Sequence, residues 1–132
     1  MTGIHVVLID DDVLMLRILE PELPALPTRV PVAAVETAQS PDKGISLVRD
    51  APPGPLLVLC DFNLKAPLNG LDVLREAARL RPDSVRVLIS GYAADQIGDV
   101  QAGGAIHGFV EKPMRVRDMF PAIAALVNAR LS

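Results

Sequence analysis

Two short, continuous apolar runs constrain this chain most: Ile4–Ile9, and "PLLVLC" at Pro55–Cys60. A strand with one wet face alternates apolar and polar residues, so an unbroken run of this length requires cover on both faces. The remaining chain supplies that cover. Val13–Leu23 carries apolar residues at helical spacing, and Pro41–Val48 reads as a short helix with Ser40 as N-cap and Pro41 at its first position. Leu71–Leu80 is amphipathic, with Leu71, Leu74 and Ala78 on one side and Arg75, Glu76 and Arg79 on the other. Val30–Val35, "VRVLIS" at Val85–Ser90, and Gly108–Glu111 read as further strands. Ala93–Ala102 reads as a helix interrupted by Gly98, and Asp118–Leu131 as a final one. Strands alternating with helices imply a parallel sheet, and five strands are too few for a closed barrel. The expected fold is α/β, an open doubly wound five-stranded parallel sheet.

The prolines punctuate this pattern. Pro52, Pro53 and Pro55 precede the third strand, and Pro82 ends the third helix. Pro21 falls within the first helix and should kink or shorten it, and Pro121 is expected in the first turn of the last helix. At 132 residues the chain is expected to be one domain spanning 1–132. Its core must be aliphatic, since there are three Phe, one Tyr and no Trp. A net charge of −3 leaves no basic footprint for nucleic acid. No apolar run is long enough to span a bilayer, and "MTGIHVV" lacks the basic start of a signal peptide. The single cysteine, Cys60, excludes an internal disulfide, suits a reducing cytosol and reads as a small buried hydrophobe.

In an open α/β sheet, ligands bind beyond the carboxyl ends of the strands. The first strand delivers Asp10, Asp11 and Asp12 there, the third Asp61, the fourth Ser90, and the fifth Lys112, followed by Pro113. Singly, each has an ordinary reading as a helix cap, a turn residue or a solvated loop residue. Their coincidence at four strand ends points to a site. Adjacent carboxylates repel, and a bound divalent cation would hold them together; Mg²⁺ takes one or two carboxylates and keeps several waters. A lysine and a hydroxyl nearby suit a phosphoryl group. A carboxylate in such a site could act as the nucleophile and form an aspartyl phosphate.

The set "DDD" after strand one, "CDFNL…NG" after strand three, "ISGY" at strand four and "GFVEKPM" at strand five resembles the receiver domain of two-component response regulators. The resemblance runs from Ile4 to about Leu131. It implies a flavodoxin-like (βα)5 sheet of strand order 2-1-3-4-5. It implies Asp61 as phosphoacceptor, and Asp10 and Asp11 as an acidic pair for Mg²⁺ with Asp61 and the backbone carbonyl of Asn63. That register keeps Leu19 and Leu23 on apolar positions of the first helix, where the alternative pair Asp11–Asp12 would put Glu20. Asp12 then becomes an N-cap or an outer acid. Lys112 would pair with Asp61 and later with the phosphoryl oxygens, Ser90 would bond the phosphoryl group, and Lys112–Pro113 resembles the family's cis bond. Phe109 matches the aromatic switch position, although the same residue also reads as plain core. His107 is expected at the surface.

One departure from the family stands out: Asp61 to Gly70, the glycine that opens helix three, is one residue longer than usual. Lys65–Ala66–Pro67 fill the turn. Tyr92 and Asn63 occupy positions that tune phosphoryl lifetime in the family. The resemblance further implies a phosphodonor, either a sensor histidine kinase or a histidine phosphotransfer protein. Output would pass through the surface of the fourth helix, fifth strand and fifth helix to a downstream protein or an output domain, and a homodimer is possible. A cytoplasmic phosphoacceptor signalling domain is expected rather than an enzyme, with no membrane or direct nucleic-acid partner. Two other readings compete. A pseudo-receiver would keep the fold as an interaction module without being phosphorylated. An FMN binder of the same fold would need a phosphate-welcoming loop where this chain has three aspartates.

Overall fold

The computed structural model describes residues 3–91, 104–112 and 115–131. The expected helix at Ala93–Ala102, Tyr92 and Pro113 lie outside the described residues. Five strands, β1 (Ile4–Ile9), β2 (Val32–Ala38), β3 (Leu56–Asp61), β4 (Val85–Ser90) and β5 (Gly108–Glu111), form one parallel sheet of order β2-β1-β3-β4-β5. Among the described residues four α-helices accompany them: α1 (Val13–Leu19), α2 (Pro41–Asp50), α3 (Gly70–Leu80) and α4 (Val116–Leu131). This is the flavodoxin-like doubly wound sheet.

The apolar runs fold as their composition requires. Every residue of β3 and β4 is buried, as are all of β1 except His5. On one face Val6, Leu8, Leu57, Leu59, Val87 and Ile89 pack with Leu16 and Leu19 of α1 and Ile123 and Val127 of α4. On the other, Val7, Ile9, Val58, Cys60 and Leu88 meet Val48 of α2 and Leu71, Leu74 and Ala77 of α3. Burying one such aliphatic side chain contributes roughly 1.5–3 kcal/mol before entropy is counted. Because all strands run the same way, their carboxyl ends share one edge, and the chemistry collects there.

α2, β3 and α3 lie within one or two residues of the sequence expectation, and other boundaries or placements depart from it in more telling ways. The first helix is shortened as Pro21 implies, stopping at Leu19 because Pro21 has no N–H to continue the ladder; a 3-10 turn at Leu23–Ala25 still delivers Leu23 to the core. β2 begins at Val32 and runs on through Glu36 and Thr37 to Ala38. Pro31 contributes only its carbonyl, to Ile4 N–H at 2.8 Å, and a strand at the sheet edge tolerates polar residues. The last helix begins at Val116, which places Pro121 inside it rather than in its first turn. A proline there leaves the carbonyl four residues earlier without its helical donor. His107 is not a plain surface residue. Its Nδ1 accepts the Arg86 backbone N–H at 3.0 Å, and its own N–H donates to the Arg86 carbonyl at 2.8 Å. Burial and the nearby Arg86 and Arg130 cations lower its pKa to about 4, so the ring is neutral at pH 7, as an accepting Nδ1 requires.

Arg86 is the one charged residue within the β4 run, and it is buried. Its Nε donates to the Ala105 carbonyl at 2.7 Å, Nη2 to Gly104 at 3.1 Å, and Nη1 to the Ser84 carbonyl and hydroxyl, both at 3.0 Å. A buried guanidinium is tolerated because carbonyls saturate its donors. The result ties the start of β4 to the segment that enters β5.

α3 has the best-defined start. Asn69 Oδ1 accepts the Asp72 N–H at 2.9 Å, and Asp72 Oδ2 accepts the Asn69 N–H at 3.0 Å, a reciprocal capping box. Gly70 follows, and its N–H donates to the Phe62 carbonyl at 2.7 Å. A Cβ at this position would overlap the Asp61 carbonyl oxygen. Gly70 is therefore required by close backbone approach to the end of β3. Gly70→Ala should cost about 1–3 kcal/mol of stability from overpacking, and Asn69→Ala about 1 kcal/mol from the lost cap, both read by urea unfolding. A Gly70→Ala variant as stable as wild type would contradict the close approach.

Candidate functional site

The Asp triplet divides its three members among three environments. Asp10, the first residue past β1, is 2% exposed, and its N–H donates to the Ala38 carbonyl at 3.0 Å. Its Oδ1 accepts the Asp12 N–H at 2.9 Å. Asp11 is half-buried. Asp12 is exposed and caps α1, accepting the Leu14 N–H on Oδ1 at 3.0 Å. Asp61 closes β3 and is 6% exposed. One carboxylate oxygen from each of Asp10, Asp11 and Asp61 lies within 4.8 Å of the others.

Lys112 stands opposite. Its Nζ is 2.9 Å from Asp61 Oδ1 and 3.6 Å from Asp10 Oδ2. The residue is aimed by the sheet, because its N–H donates to the Ser90 carbonyl at 2.7 Å, just past the Ser90–Glu111 pairing of β4 and β5. Ser90 itself is buried at the end of β4. Phe109, paired with Leu88 across the ladder, is half-buried against the core face shared with α2 and α3. Together the strand ends border a cleft of about 380 Å³, lined by the carboxylates of Asp10, Asp11, Asp12 and Asp61 and by Lys65 and Lys112.

The carboxylates sit in a conflicted field. Burial, and then the neighbouring Asp61 and Asp11 charges, push Asp10 up to about 6, against the Asp12 N–H and Lys112. Burial likewise raises Asp61, with Lys112 and the Asn63 N–H opposing. Burial pulls the Lys112 ammonium down, but its bond to Asp61 and the charge of Asp10 outweigh this and raise it. Three hard oxygen donors within reach of one point, two of them, Asp10 and Asp61, disfavoured as bare anions by burial, fit a divalent cation such as Mg²⁺. Asn63 lines the same cleft; its side-chain oxygen accepts the Lys65 N–H at 3.2 Å, so the side chain is committed to the turn.

Lys65 has no role in the sequence reading. Its Nζ lies 3.8 Å from Asp11 Oδ2, and its backbone is left-handed at φ 52°. The available signal was the extra residue between Asp61 and Gly70, which has to be accommodated beside the cleft.

The profile of the response regulator receiver domain family matches residues 6–124. The chain belongs to that family, a class of signalling domain rather than a conventional enzyme. No curated protein matches the chain. Among solved structures it is similar to a CheY-like response regulator receiver domain protein from Methanospirillum hungatei JF-1, with 21% identity over 98% of this chain and 97% of that one, at TM-score 0.81. It is also similar to a response regulator receiver protein from Sinorhizobium medicae WSM419, with 26% identity, 97% of both chains and TM-score 0.77. A third is a response regulator protein from Burkholderia pseudomallei with a phosphorylated aspartic acid, calcium ion and citrate, with 22% identity over 95% of this chain and 71% of that one, at TM-score 0.73. No helix among the described residues is long and apolar enough to cross a membrane.

The raised Asp10 gives a signed expectation for the metal-free protein. Its folded pKa of about 6 exceeds the ordinary 3.8, so the folded state binds the proton more tightly and stability falls as pH rises through that window. In chelator at pH 7, Asp10→Asn should stabilise the protein by about 1–3 kcal/mol, measured by urea unfolding. The gain should fade as pH drops below about 6 and vanish below 3.8, where wild-type Asp10 is protonated in both states. A variant less stable than wild type at pH 7 would contradict this electrostatic picture.

Proposed function

We propose that this receiver accepts a phosphoryl group on Asp61 from a phosphohistidine of a sensor histidine kinase or histidine phosphotransfer protein. The observation that carries the reading is the buried Asp61 carboxylate, in contact with Lys112 at 2.9 Å and clustered with Asp10 and Asp11. The phosphorylated aspartic acid and calcium ion of the similar Burkholderia protein agree with this chemistry. Asp10, Asp11, Asp61 and the Asn63 backbone carbonyl would hold Mg²⁺. When bound, the ion would supply positive charge against the transferring oxygens and relieve repulsion among the carboxylates.

Asp61 attacks phosphorus as the donor's N–P bond breaks, leaving an acyl phosphate and a free imidazole. The transition state spreads charge over the equatorial oxygens, so this chain's contribution is positioning and charge. Lys112 moves from the Asp61 oxygen to a phosphoryl oxygen, and Ser90 donates its hydroxyl to another. These new charge-assisted bonds exist only in the phosphorylated form and bias a conformational equilibrium. Reversing a strongly one-sided equilibrium takes about 5.5 kcal/mol of differential stabilisation. Phe109 follows Ser90 inward. The surface of the fourth expected helix, β5 and α4 then presents the signal to a downstream protein, an output domain or a second copy. The chain promotes its own phosphoryl transfer and hydrolysis as a single cytoplasmic domain and binds no nucleic acid itself.

Incubation with acetyl phosphate tests this by intact mass. Wild type should gain one phosphoryl group only when Mg²⁺ is present, and Asp61→Asn should gain none. A folded wild type that gains nothing would make the chain an unphosphorylated interaction module.

A further inference from the structure

We propose that Lys65 is an internal counter-ion of the acidic cleft, which a divalent cation must displace, so that this residue lowers cation affinity at the site. The inference rests on the divalent-cation reading above and concerns a residue outside the ligand set. Lys112 serves Asp61 and Asp10, at 2.9 and 3.6 Å, which leaves Asp11 to Lys65 at 3.8 Å. Each of the three clustered carboxylates therefore already faces an ammonium group.

The loop is built to put Lys65 there. Asn63 Oδ1 accepts the Lys65 N–H at 3.2 Å, closing a tight turn two residues past Asp61. The Lys65 backbone adopts φ 52°, a conformation that L side chains rarely take. The turn directs the stem over the cleft mouth, which Lys65 lines. A divalent cation drawn to the Asp11 carboxylate would meet this ammonium within a few ångströms, and like charges at that range repel. The two lysines differ in how they would respond. The Lys112 side chain is 26% exposed and hydrogen-bonded to Asp61, whereas that of Lys65 is 78% exposed and free to swing outward. Lys65 is thus the displaceable member.

Calorimetric titration of the whole protein with MgCl₂ tests this without any phosphodonor. Lys65→Met removes the charge and keeps most of the stem; Lys65→Gly removes it and suits the left-handed backbone. At low ionic strength both should bind Mg²⁺ about two- to fivefold more tightly than wild type, the range expected for an exposed ion pair. Lys65→Arg should stay near wild type. The difference should close near 1 M salt, where the Debye length is about 3 Å. Asp11→Asn marks the site by weakening the binding. Equal or weaker affinity in both charge-removing variants, with a wild type that binds, overturns the Lys65 role alone. A wild type that binds no Mg²⁺ overturns it together with the cation reading.

Discussion

The contact between Lys112 Nζ and Asp61 Oδ1, at 2.9 Å, is the interaction on which the acidic edge depends. Two largely buried carboxylates, Asp10 and Asp61, are both pushed upward by desolvation, and Lys112 is the cation that touches both. Removing one partner of a buried charge pair leaves the other uncompensated, which typically costs about 3–5 kcal/mol. The sheet holds the pair in place from both sides: β3 ends on Asp61, and the Lys112 N–H extends the β4–β5 ladder by bonding the Ser90 carbonyl. The site is therefore as rigid as the ladders beneath it, while its charges are in conflict. A group that relieves the conflict, whether a cation or a phosphoryl group engaged by Lys112, gains affinity from it.

Packing explains why the conflict persists. Asp61 cannot retreat, because α3 approaches its carbonyl so closely that only glycine fits at 70. Asp10 cannot turn outward without giving up the Asp12 N–H. Asp12 spends its side chain on capping α1, and Asp11 is left between the buried cluster and solvent. Three identical residues in sequence thus become a buried acid, a bridging acid and a helix cap.

Much of this was legible beforehand. β4 is legible residue for residue, since a mostly apolar run between turn signals has one compatible structure, and Ser40 and Pro41 mark a helix start by chemistry that acts locally. The edge strand β2 lies two to three residues beyond its expected bounds, because small, weakly patterned residues carry no sharp boundary. The last helix starts two residues before the expected Asp118, with Pro121 inside it, because residues ahead of a proline carry no sharp helix-start signal of their own. The role of His107 is not legible in sequence, because its partner, the Arg86 backbone, is adjacent only across the sheet. Lys65 is hidden for the same reason: its distance to Asp11 depends on a left-handed turn that composition does not encode. Local chemistry could be read from the chain, whereas pairings across the fold required the fold.

The most direct measurement is to trap the phosphorylated residue itself. After reaction with acetyl phosphate and Mg²⁺, borohydride reduces an aspartyl phosphate to homoserine, and peptide mass spectrometry locates it. Homoserine at position 61, and not at 10, 11 or 12, is the predicted result. Homoserine at one of those other positions, or a phosphoryl group retained on Ser90, would contradict the assignment of Asp61 as the acceptor.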